Sequence, residues 1–260
     1  MRKNKIVVVG AGPAGMMAAI KAASLGQEVI LIDKNPILGK KLLLSGKGRC
    51  NLTNASEPDA CLKRFSRNGQ FLRDAFKKFF NRELMDFFQS RGLALKVERQ
   101  QRVFPVTDSS SSIVDVLKKE LAQQKVKVIL KSKVKDILVK DKQIEGLYLE
   151  SAEFIPCAKL ILATGGASYS FTGSTGEGLK IAERSGHHIV PLRPALVPLE
   201  IKEKYAKILE GLTLKNIRIR ACAGKNAFAS EVGELLFTGF GISGPLVLTL
   251  SGKIVDWLKD

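Results

Sequence analysis

Residues 5–33 read KIVVVGAGPAGMMAAIKAASLGQEVILID, and their pattern indicates the class of the fold. Its first six residues, KIVVVG, are mostly apolar and β-branched, which predicts a parallel strand buried on both faces. Ala and Met residues then recur at helical spacing over residues 12–25, and Gly26 is a natural helix stop. EVILID at 28–33 has the character of a second strand. The order strand, helix, strand predicts a βαβ unit and therefore an α/β fold with a parallel sheet.

Between the first strand and the helix lies a turn with the pattern GxGxxG. Its glycines are Gly10, Gly12 and Gly15, and Asp33 ends the second strand 23 residues after Gly10. In this context the pattern indicates a dinucleotide site. We expect Gly10 to make the tight turn, Gly12 to let a pyrophosphate approach the backbone, and Gly15 to let helix and strand pack closely. The pyrophosphate would meet the free N–H groups of the helix N-terminus, and Asp33 would accept a hydrogen bond from a ribose hydroxyl.

Two further segments are expected beside the same ligand. GKKLLLSGKGRCNLTN at 39–54 combines Gly, Ser, Asn and Thr donors with four cations, Lys40, Lys41, Lys47 and Arg49. Such a loop suits a phosphate and the polar edge of a flavin. LILATGG at 160–166 again has the apolar character of a buried parallel strand, and it ends in Thr-Gly-Gly. Ligands of doubly wound sheets collect at the carboxyl ends of the strands, so this turn is predicted to approach the same cofactor.

The character of the sequence changes after residue 190. Prolines at 191, 194 and 198 mark a boundary, and alternating segments such as KNIRIRAC at 215–222 follow. We therefore predict a Rossmann-like domain over 1–190 and the start of a β-rich domain over 191–260. Within the first domain a helix is predicted over 69–91. Its aromatic residues have helical spacing, which indicates core packing: Phe71, Phe76, Phe79, Phe80, Phe87 and Phe88.

The charge of the chain is its most unusual compositional feature. It has 42 Lys and Arg against 25 Asp and Glu, a formal net charge of +17. Residues 61–100 hold ten Lys and Arg against four acids, and residues 201–225 hold seven against two. A field of this sign concentrates polyanions, and we expect these two basic faces to contact RNA. The alternative is a chain that is simply rich in solvated lysine.

Cysteine usage and hydropathy limit the remaining classes of partner. The four cysteines stand far apart without CxxC spacing, so neither a metal site nor a disulfide framework is predicted. No apolar run approaches the ~18 residues needed to span a bilayer. These features predict a soluble protein of the reducing cytoplasm, without a membrane or metal partner.

The sequence contains no Ser-His-Asp arrangement and no paired-carboxylate motif. Its two histidines, His187 and His188, are adjacent and would point to opposite faces of a strand. The hard chemistry is therefore expected to belong to a bound dinucleotide cofactor. Cys50, between Arg49 and Asn51, is the candidate catalytic residue, because a neighbouring arginine lowers the pKa of a thiol and keeps it reactive. A buried packing cysteine is the alternative.

Five segments in this order carry a resemblance to a known family: VVVGAGPAG, ILIDKNPILGKKLLLSGKGRCNLTN, RVFP at 102–105, LILATGG, and GELLFTGFGISGP at 233–245. Together they closely resemble the BaiN/RdsA-like NAD(P)/FAD-dependent oxidoreductases, over the whole chain. The resemblance implies a GR2-type Rossmann-like FAD-binding domain with an inserted, β-rich, barrel-like second domain, and NAD(P)H as the reductant. It also implies an FAD site made of Gly10, Gly12, Ala14, Gly15, Asp33, Lys34, Lys41, Ser45, Gly46, Arg49, Asn51, Thr53, the backbone of Val134, Thr164 and Gly165.

The resemblance further implies a choice of substrates. Members of the family include enzymes that reduce a uracil ring of large-subunit ribosomal RNA to dihydrouridine, and others that reduce bile acids or small molecules. The basic faces favour the RNA uridine. A flavin-dependent reductase or oxidase of a small enone, imine or steroid-like molecule is one alternative, and a non-catalytic FAD-containing RNA- or ribosome-binding protein is another. Family members return to the first domain through a C-terminal segment that closes over the flavin, whereas this chain stops at Asp260. We therefore expect a chain truncated at its C-terminus, as a fragment of a longer protein.

Overall fold

The structure is a computed structural model that describes residues 5–257, with the backbone alone described at positions 66, 67, 226, 228, 256 and 257. It divides into two compact units, Met1–Ile189 and Val190–Asp260. The helices and strands of the first unit are, in chain order, β1 Lys5–Val9, α1 Pro13–Ser24, β2 Glu28–Ile32, β3 Thr53–Asn54, α2 Pro58–Leu62, α3 Arg73–Lys78, α4 Asn81–Gln89, β4 Leu95–Glu98, β5 Arg102–Pro105, α5 Ser110–Gln123, β6 Lys127–Ile129, β7 Val134–Lys140, β8 Gln143–Leu149, β9 Phe154–Pro156, β10 Lys159–Leu162 and α6 Glu177–Arg184. Short 3-10 turns lie at Leu42–Gly48, Ser66–Leu72, Arg99–Gln101 and Ser170–Thr172.

A four-stranded parallel sheet in the order β10-β1-β2-β6 forms the centre of the first unit. Val7 of β1 pairs with Leu160 on one side and with Ile30 on the other, and Ile30 pairs in turn with Lys127. Counted along the chain, the strands lie in the order 4-1-2-3, which is half of a Rossmann sheet. The predicted α/β class with a Rossmann-like parallel sheet is confirmed.

Two apolar cores cover the faces of this sheet, because successive side chains of a strand point in opposite directions. Ile6 and Val8 pack in the core that includes α1 and α5. Val7 and Val9 pack in the other core, with residues of the antiparallel sheet β7-β8-β9 and with Ile181 of α6. Burial of each such side chain contributes about 1.5–3 kcal/mol. The strand ends, and the turns that follow them, are therefore held firmly in place.

The predicted single helix over 69–91 is wrong. Phe79 and Phe80 are extended, with φ of −157° and −129°, and they separate α3 from α4. Asn81, the first residue of α4, is buried, and its side-chain amide donates to the carbonyl oxygen of Asn54 at 2.7 Å. This bond attaches α4 to strand β3, which belongs to a small antiparallel sheet of order β3-β5-β4. The tertiary anchor thus overrides the helical pattern.

The aromatic residues of that segment do not form one core stripe. Phe88 is buried, with 2% of its surface exposed, and Phe87 packs beside it at the edge of a core. Phe71 and Phe79, in contrast, are 88% and 43% exposed. The break at residues 79–80 changes the direction of the chain, so the rings before it do not share the face of those after it. The expected core role is wrong for Phe71 and Phe79.

The second unit is β-rich, as expected. Its elements are β11 Leu199–Glu200, α7 Tyr205–Ile208, β12 Thr213–Ile217, β13 Arg220–Ala223, β14 Asn226–Ala229, β15 Gly233–Thr238, β16 Gly241–Ser243 and α8 Pro245–Trp257. Strands in the order β11-β16-β15-β12 form an antiparallel sheet, and β13 and β14 form a separate hairpin. The segment 215–222, predicted as one strand, is divided between the two sheets. Asn216 has a φ of +56°, and β12 pairs irregularly there.

Candidate dinucleotide-binding site

A cleft of about 350 Å³ opens at the carboxyl ends of β1 and β10 in the first unit. Here the strand order changes direction, and doubly wound sheets bind ligands at such a switch point. The volume lies in the range of small-molecule sites. The cleft is lined by the start of α1, the end of β2, residues 132–134, and the two chain segments 163–165 and 172–178.

The three glycines of the GxGxxG turn meet different requirements. Gly10 has a φ of +106°, and a Cβ on it would lie 2.4 Å from the carbonyl oxygen of Ala163. A Cβ on Gly15 would lie 1.7 Å from the carbonyl oxygen of Gly10. Gly12 has an ordinary φ of −75°, and no heavy atom of another part of the protein lies within 4 Å of its Cβ position. The fold therefore requires glycine at 10 and 15, whereas position 12 leaves open space in the lining of the cleft.

The start of α1 provides hydrogen-bond donors beside that space. The helix begins at Pro13, and its N-cap residue, Gly12, has no side chain to cap it. The first N–H groups of a helix have no partners within the helix, and the helix dipole is positive there. Ala14, in the same turn, also lines the cleft. Free donors, a positive dipole and the space at Gly12 fit the pyrophosphate of a dinucleotide such as FAD.

Asp33 connects the end of β2 to the glycine-rich turn. Its Oδ2 accepts a hydrogen bond from the N–H of Ala11 at 2.6 Å, and its Oδ1 accepts two from Asn35, at 2.7 and 2.9 Å. A carboxylate oxygen can accept two hydrogen bonds, so Oδ2 retains capacity for a ribose hydroxyl. Asp33 also lines the cleft. These contacts hold the carboxylate beside the turn that would bind the pyrophosphate.

Charges of alternating sign connect three parts of the cleft lining. Glu177, the first residue of α6, pairs with Lys34 at 2.6 Å and with Lys133 at 2.8 Å, and Lys133 also pairs with Glu150 at 2.8 Å. Hydrogen bonds from Lys133 and Lys34 lower the pKa of Glu177 to about 2, and the hydrogen bonds that Lys133 donates to Glu150 and Glu177 raise the pKa of Lys133. The network joins Lys34, the second residue after β2, Lys133, the residue before β7, and Glu177 at the start of α6.

Lys40 and Lys41 hold the loop that follows β10. The Nζ of Lys40 donates to the carbonyl oxygen of Phe171, and the Nζ of Lys41 to that of Ser168, both at 2.7 Å. Asn35 adds a bond from its amide to the carbonyl oxygen of Thr172 at 3.1 Å. Each ammonium group has three donors, so both lysines keep capacity for a phosphate. Lys40 and Lys41, which were predicted to lie beside a phosphate, thus hold this loop against the cleft.

The later part of the 39–54 loop forms a second cluster against the β3-β5-β4 sheet. Arg49 donates from Nε to Asp108 at 2.7 Å and from Nη2 to Glu98, and its guanidinium lies 4.2 Å from the centre of the Phe104 ring. The hydrogen bonds to the two carboxylates raise the pKa of Arg49. Gly46 has a φ of +58° and packs against the same ring. Arg49 therefore holds this turn to the small sheet.

Cys50 lies in the same turn and is 3% exposed, with a φ of +60°. Burial raises the pKa of its thiol, although a hydrogen bond with the Ser45 side chain acts in the opposite direction. The expectation that Arg49 lowers this pKa is wrong, because the guanidinium is directed at two carboxylates. A thiol with a raised pKa stays protonated at neutral pH, which suits a proton donor better than a nucleophile. The catalytic role of Cys50 stays a prediction.

The structure brings together nine of the fifteen residues expected around FAD. Those that line the cleft are Gly10, Gly12, Ala14, Asp33, Lys34, Lys41, Val134, Thr164 and Gly165. Gly15 packs beneath the glycine-rich turn. The other five lie in the 39–54 loop outside the cleft lining: Ser45, Gly46, Arg49, Asn51 and Thr53. The contact of each of these residues with FAD stays a prediction.

Several cleft residues were not predicted, and one signal would have revealed most of them. TGSTGEG at 172–178 is a second run rich in Gly, Ser and Thr, and it leads from the loop after strand β10 into the first turn of helix α6. Gly178 in this run packs so closely on Thr164 that a Cβ would lie 1.9 Å from the threonine Oγ1. Asn35 and Lys133 carry no comparable local pattern.

The two predicted basic faces are largely exposed. In 201–225 all seven Lys and Arg residues are exposed. In 61–100 the exposed cations with described side chains include Lys63, Arg73, Lys77, Lys78 and Arg82. Three of them have acidic neighbours at long distances: Arg73–Asp59 at 3.5 Å, Lys77–Asp74 at 3.4 Å and Arg82–Glu57 at 3.5 Å. Exposed pairs of this kind contribute little, so the cations can exchange partners.

Within residues 5–257, no helix is long and apolar enough to cross a membrane. Nor does that part of the chain bring three or more His, Cys, Asp or Glu residues together in a group that could hold a metal ion.

Comparison with known proteins gives consistent results. The family model described as the HI0933-like protein Rossmann domain matches residues 4–249. A 3-dehydro-bile acid delta(4,6)-reductase from Clostridium scindens is 34% identical over 99% of this chain and 62% of its own length. A ribosomal RNA dihydrouridine synthase from Escherichia coli is 34% identical over 96% of this chain and 61% of its own. The chain thus spans less than two thirds of these curated relatives.

Among solved structures, the chain is similar to a 3-ketosteroid-delta4-(5alpha)-dehydrogenase from Rhodococcus jostii. The TM-score is 0.58 and the sequence identity 13%, over 83% of this chain and 60% of that one. At this identity the likeness concerns the fold alone.

Proposed function

We propose that this chain, which belongs to the HI0933-like Rossmann-domain family, is the FAD-binding part of an NAD(P)H-dependent oxidoreductase that reduces a uridine of large-subunit ribosomal RNA to dihydrouridine. The observation that carries the cofactor assignment is the open space at Gly12, beside the uncapped start of α1 and the carboxylate of Asp33. When bound, FAD would accept hydride from NAD(P)H and supply it to the substrate.

The residues of the cleft would bind and orient the dinucleotide. The first turn of α1 would donate to the pyrophosphate, and Asp33 would accept from a ribose hydroxyl. Lys40 and Lys41, each with donors to spare, would neutralise phosphate charge. The second cluster around Arg49 would hold the 45–51 turn in a fixed conformation beside the flavin.

Reduction of a uracil double bond adds hydride to one ring carbon and a proton to its neighbour. Cys50 is our candidate for the proton donor, because burial keeps its thiol protonated. The S–H bond would break as the new C–H bond forms, and the resulting thiolate would take up a proton from solvent. A raised pKa also makes the thiol a weaker acid, so we expect it to donate its proton in concert with the hydride addition, as negative charge develops on the neighbouring ring carbon.

The positive charge of the chain and its similarity to a curated relative both support an RNA substrate. The chain carries a net charge of +17, and both basic faces are exposed. The Escherichia coli relative bears the name of a ribosomal RNA dihydrouridine synthase. Phosphate contacts supply most of the affinity of such surfaces, so binding should fall steeply with salt. A protein that acts on ribosomal RNA would work in the cytoplasm.

A second candidate function has its own support. The Clostridium scindens relative is equally similar over the whole chain, and its name gives a bile-acid substrate. A small enone, imine or steroid-like molecule could therefore replace the uridine, and the basic faces would then be incidental.

The decisive experiment maps dihydrouridine in ribosomal RNA from a strain that lacks the gene and from the same strain with the gene restored. We expect one position to lose the modification and regain it. Purified protein is assayed in parallel for bound flavin and for NAD(P)H oxidation. Unchanged RNA with rapid turnover of an enone would favour the small-molecule reductase. RNA binding with FAD but no turnover of either substrate would favour a non-catalytic RNA-binding protein.

A further inference from the structure

We call the three exposed phenylalanine rings of one short segment in the first unit the aromatic surface. Phe65, Phe71 and Phe79 are 47%, 88% and 43% exposed. They lie in a short segment that contains the 3-10 turn Ser66–Leu72 and helix α3. Rings of this size are usually buried, and a group of exposed ones marks a surface that binds something.

The local fold holds this aromatic surface in place. Phe76 and Phe80 are half-buried, with ring centres 4.3 Å apart, and Phe65 contacts Phe76 edge-on at 6.0 Å. Gly69 packs so tightly on the carbonyl oxygen of Leu62 that a Cβ would lie 2.1 Å from it. Phe65 is therefore held by a half-buried neighbour, and the close packing of Gly69 holds the turn that carries Phe71, which lowers the cost of ordering this segment on binding.

Exposed cations lie in the same segment of the chain as the rings. Lys63, Lys77 and Lys78 are exposed, and so is Arg73. The contacts of Arg73 with Asp59 and of Lys77 with Asp74 are long, at 3.5 and 3.4 Å. These pairs contribute at most about 1 kcal/mol, so a phosphate can replace the carboxylates. Positive charge next to exposed rings is the combination that binds single-stranded nucleic acid, because bases stack on the rings while cations follow the backbone.

We infer that this aromatic surface binds a single-stranded segment of RNA, with a base stacked on Phe71. The inference rests on the proposed RNA substrate and goes beyond it, because the net charge does not tell which residues hold the strand. A protein partner would be expected to cover the rings with apolar side chains, and the positive charge of this segment favours RNA instead. Single-stranded recognition also matches a reaction on a uracil ring, whose faces are hidden in a duplex.

The test uses tryptophan fluorescence on the whole chain. Phe71→Trp is made together with Trp257→Phe, so that the only tryptophan reports on position 71. We expect a short uridine-rich single strand to quench the emission and a duplex of the same length to quench it much less. Phe71→Ala should weaken binding of the single strand roughly tenfold, since stacking contributes about 1–3 kcal/mol per base. Phe71→Tyr should retain it, and Leu25→Ala, which removes an exposed side chain from the end of α1, should bind like the wild type.

The possible outcomes separate this inference from the proposed function. Suppose that the wild type binds RNA, that Phe71→Ala binds it equally well, and that RNA does not quench the emission of the Phe71→Trp variant. The aromatic surface is then not the RNA site, and the proposal of an RNA substrate still stands. If the wild type binds no RNA, both fail. If the emission from position 71 already shows a buried indole before RNA is added, protein covers the ring and the inference is overturned.

Discussion

A Cβ on Gly15 would lie 1.7 Å from the carbonyl oxygen of Gly10, whereas a Cβ on Gly12, between them in the chain, would meet no heavy atom within 4 Å. The first relationship is a packing requirement between α1 and the turn after β1. The open space at Gly12 has no such explanation within the first unit, but a pyrophosphate in the cleft would explain it. Substitutions at the two positions should therefore have different consequences.

Gly12→Asn should weaken flavin binding at least about tenfold without unfolding the protein. Asn is a good N-cap residue, and the φ of −75° at this position suits it, so α1 should keep its stability. Its side chain would occupy the space of the pyrophosphate and weaken FAD binding by at least ~1.4 kcal/mol, or tenfold. The measurements are the flavin absorbance of the purified natural gene product and its thermal melting.

Gly15→Ala is the matched control, because it should lower the melting temperature by clashing with Gly10. If Gly12→Asn purified with as much FAD as the wild type, the pyrophosphate would not lie at this turn.

Glu177→Gln should make the free energy of unfolding depend less on pH in the acid range. The pKa of Glu177 is lowered from 4.5 to about 2, so its ion pairs stabilise the folded state above pH 4.5 and this contribution disappears as the pH falls to 2. Because the pairs are partly exposed, we expect a loss of only about 1 kcal/mol in the free energy of unfolding at pH 7. The wild type and variant should converge as the pH approaches 2.

Denaturant titrations at several pH values measure this difference. Glu183→Gln, at an exposed position on the same helix, is the matched control, because it removes one negative charge without removing a member of the Lys34–Glu177–Lys133 network. A variant as stable as the wild type at pH 7 would show that the Lys34–Glu177–Lys133 network does not stabilise the fold.

Cys50→Ala should separate flavin reduction from product formation. We expect NAD(P)H to reduce the flavin at an unchanged rate, while formation of the reduced substrate falls on the order of 100-fold, as for the loss of a general acid. Stopped-flow absorbance and product analysis measure the two steps. Equal rates of product formation would show that another group, or water, donates the proton.

The thiol itself can be tested by alkylation. Buried Cys50, with its raised pKa, should react far more slowly with iodoacetamide than exposed Cys222 in the folded protein, and equally fast after unfolding. Mass spectrometry of the labelled peptides gives both rates.

Reversal of charge at Arg73, Lys77 and Arg82 together should weaken RNA binding through lost phosphate contacts. The slope of log affinity against log salt should fall by up to about three, close to one for each lost contact. FAD content should not change, since none of the three lines the cleft. The same reversal at Lys118, Lys119 and Lys125, exposed residues in and after α5, provides an equal change in net charge. Equal losses in the two triple variants would show that only the overall charge matters.

The central βαβ unit and the cleft at its turn could be predicted from local sequence patterns. The apolar runs of β1 and β2, the helical pattern between them, and the spacing of Gly10, Gly12, Gly15 and Asp33 all act over short distances along the chain. Such local patterns constrain the backbone directly, through burial on both faces of the strands and close packing at glycine. The α/β class and the residues of the glycine-rich turn could therefore be predicted.

The contacts that the charged and aromatic residues make could not be predicted from the sequence and are seen only in the tertiary structure. Lys34 meets Glu177 across 143 positions, and Arg49 is directed to Glu98 and Asp108 rather than to Cys50. The break at Phe79 and Phe80 depends on the hydrogen bond between Asn81 and Asn54. Because of this break, Phe71 and Phe79 are exposed, although their helical spacing predicted that they would pack in a core. These outcomes depend on how separate elements pack against one another, and spacing within one segment carries no information about a partner that lies in another.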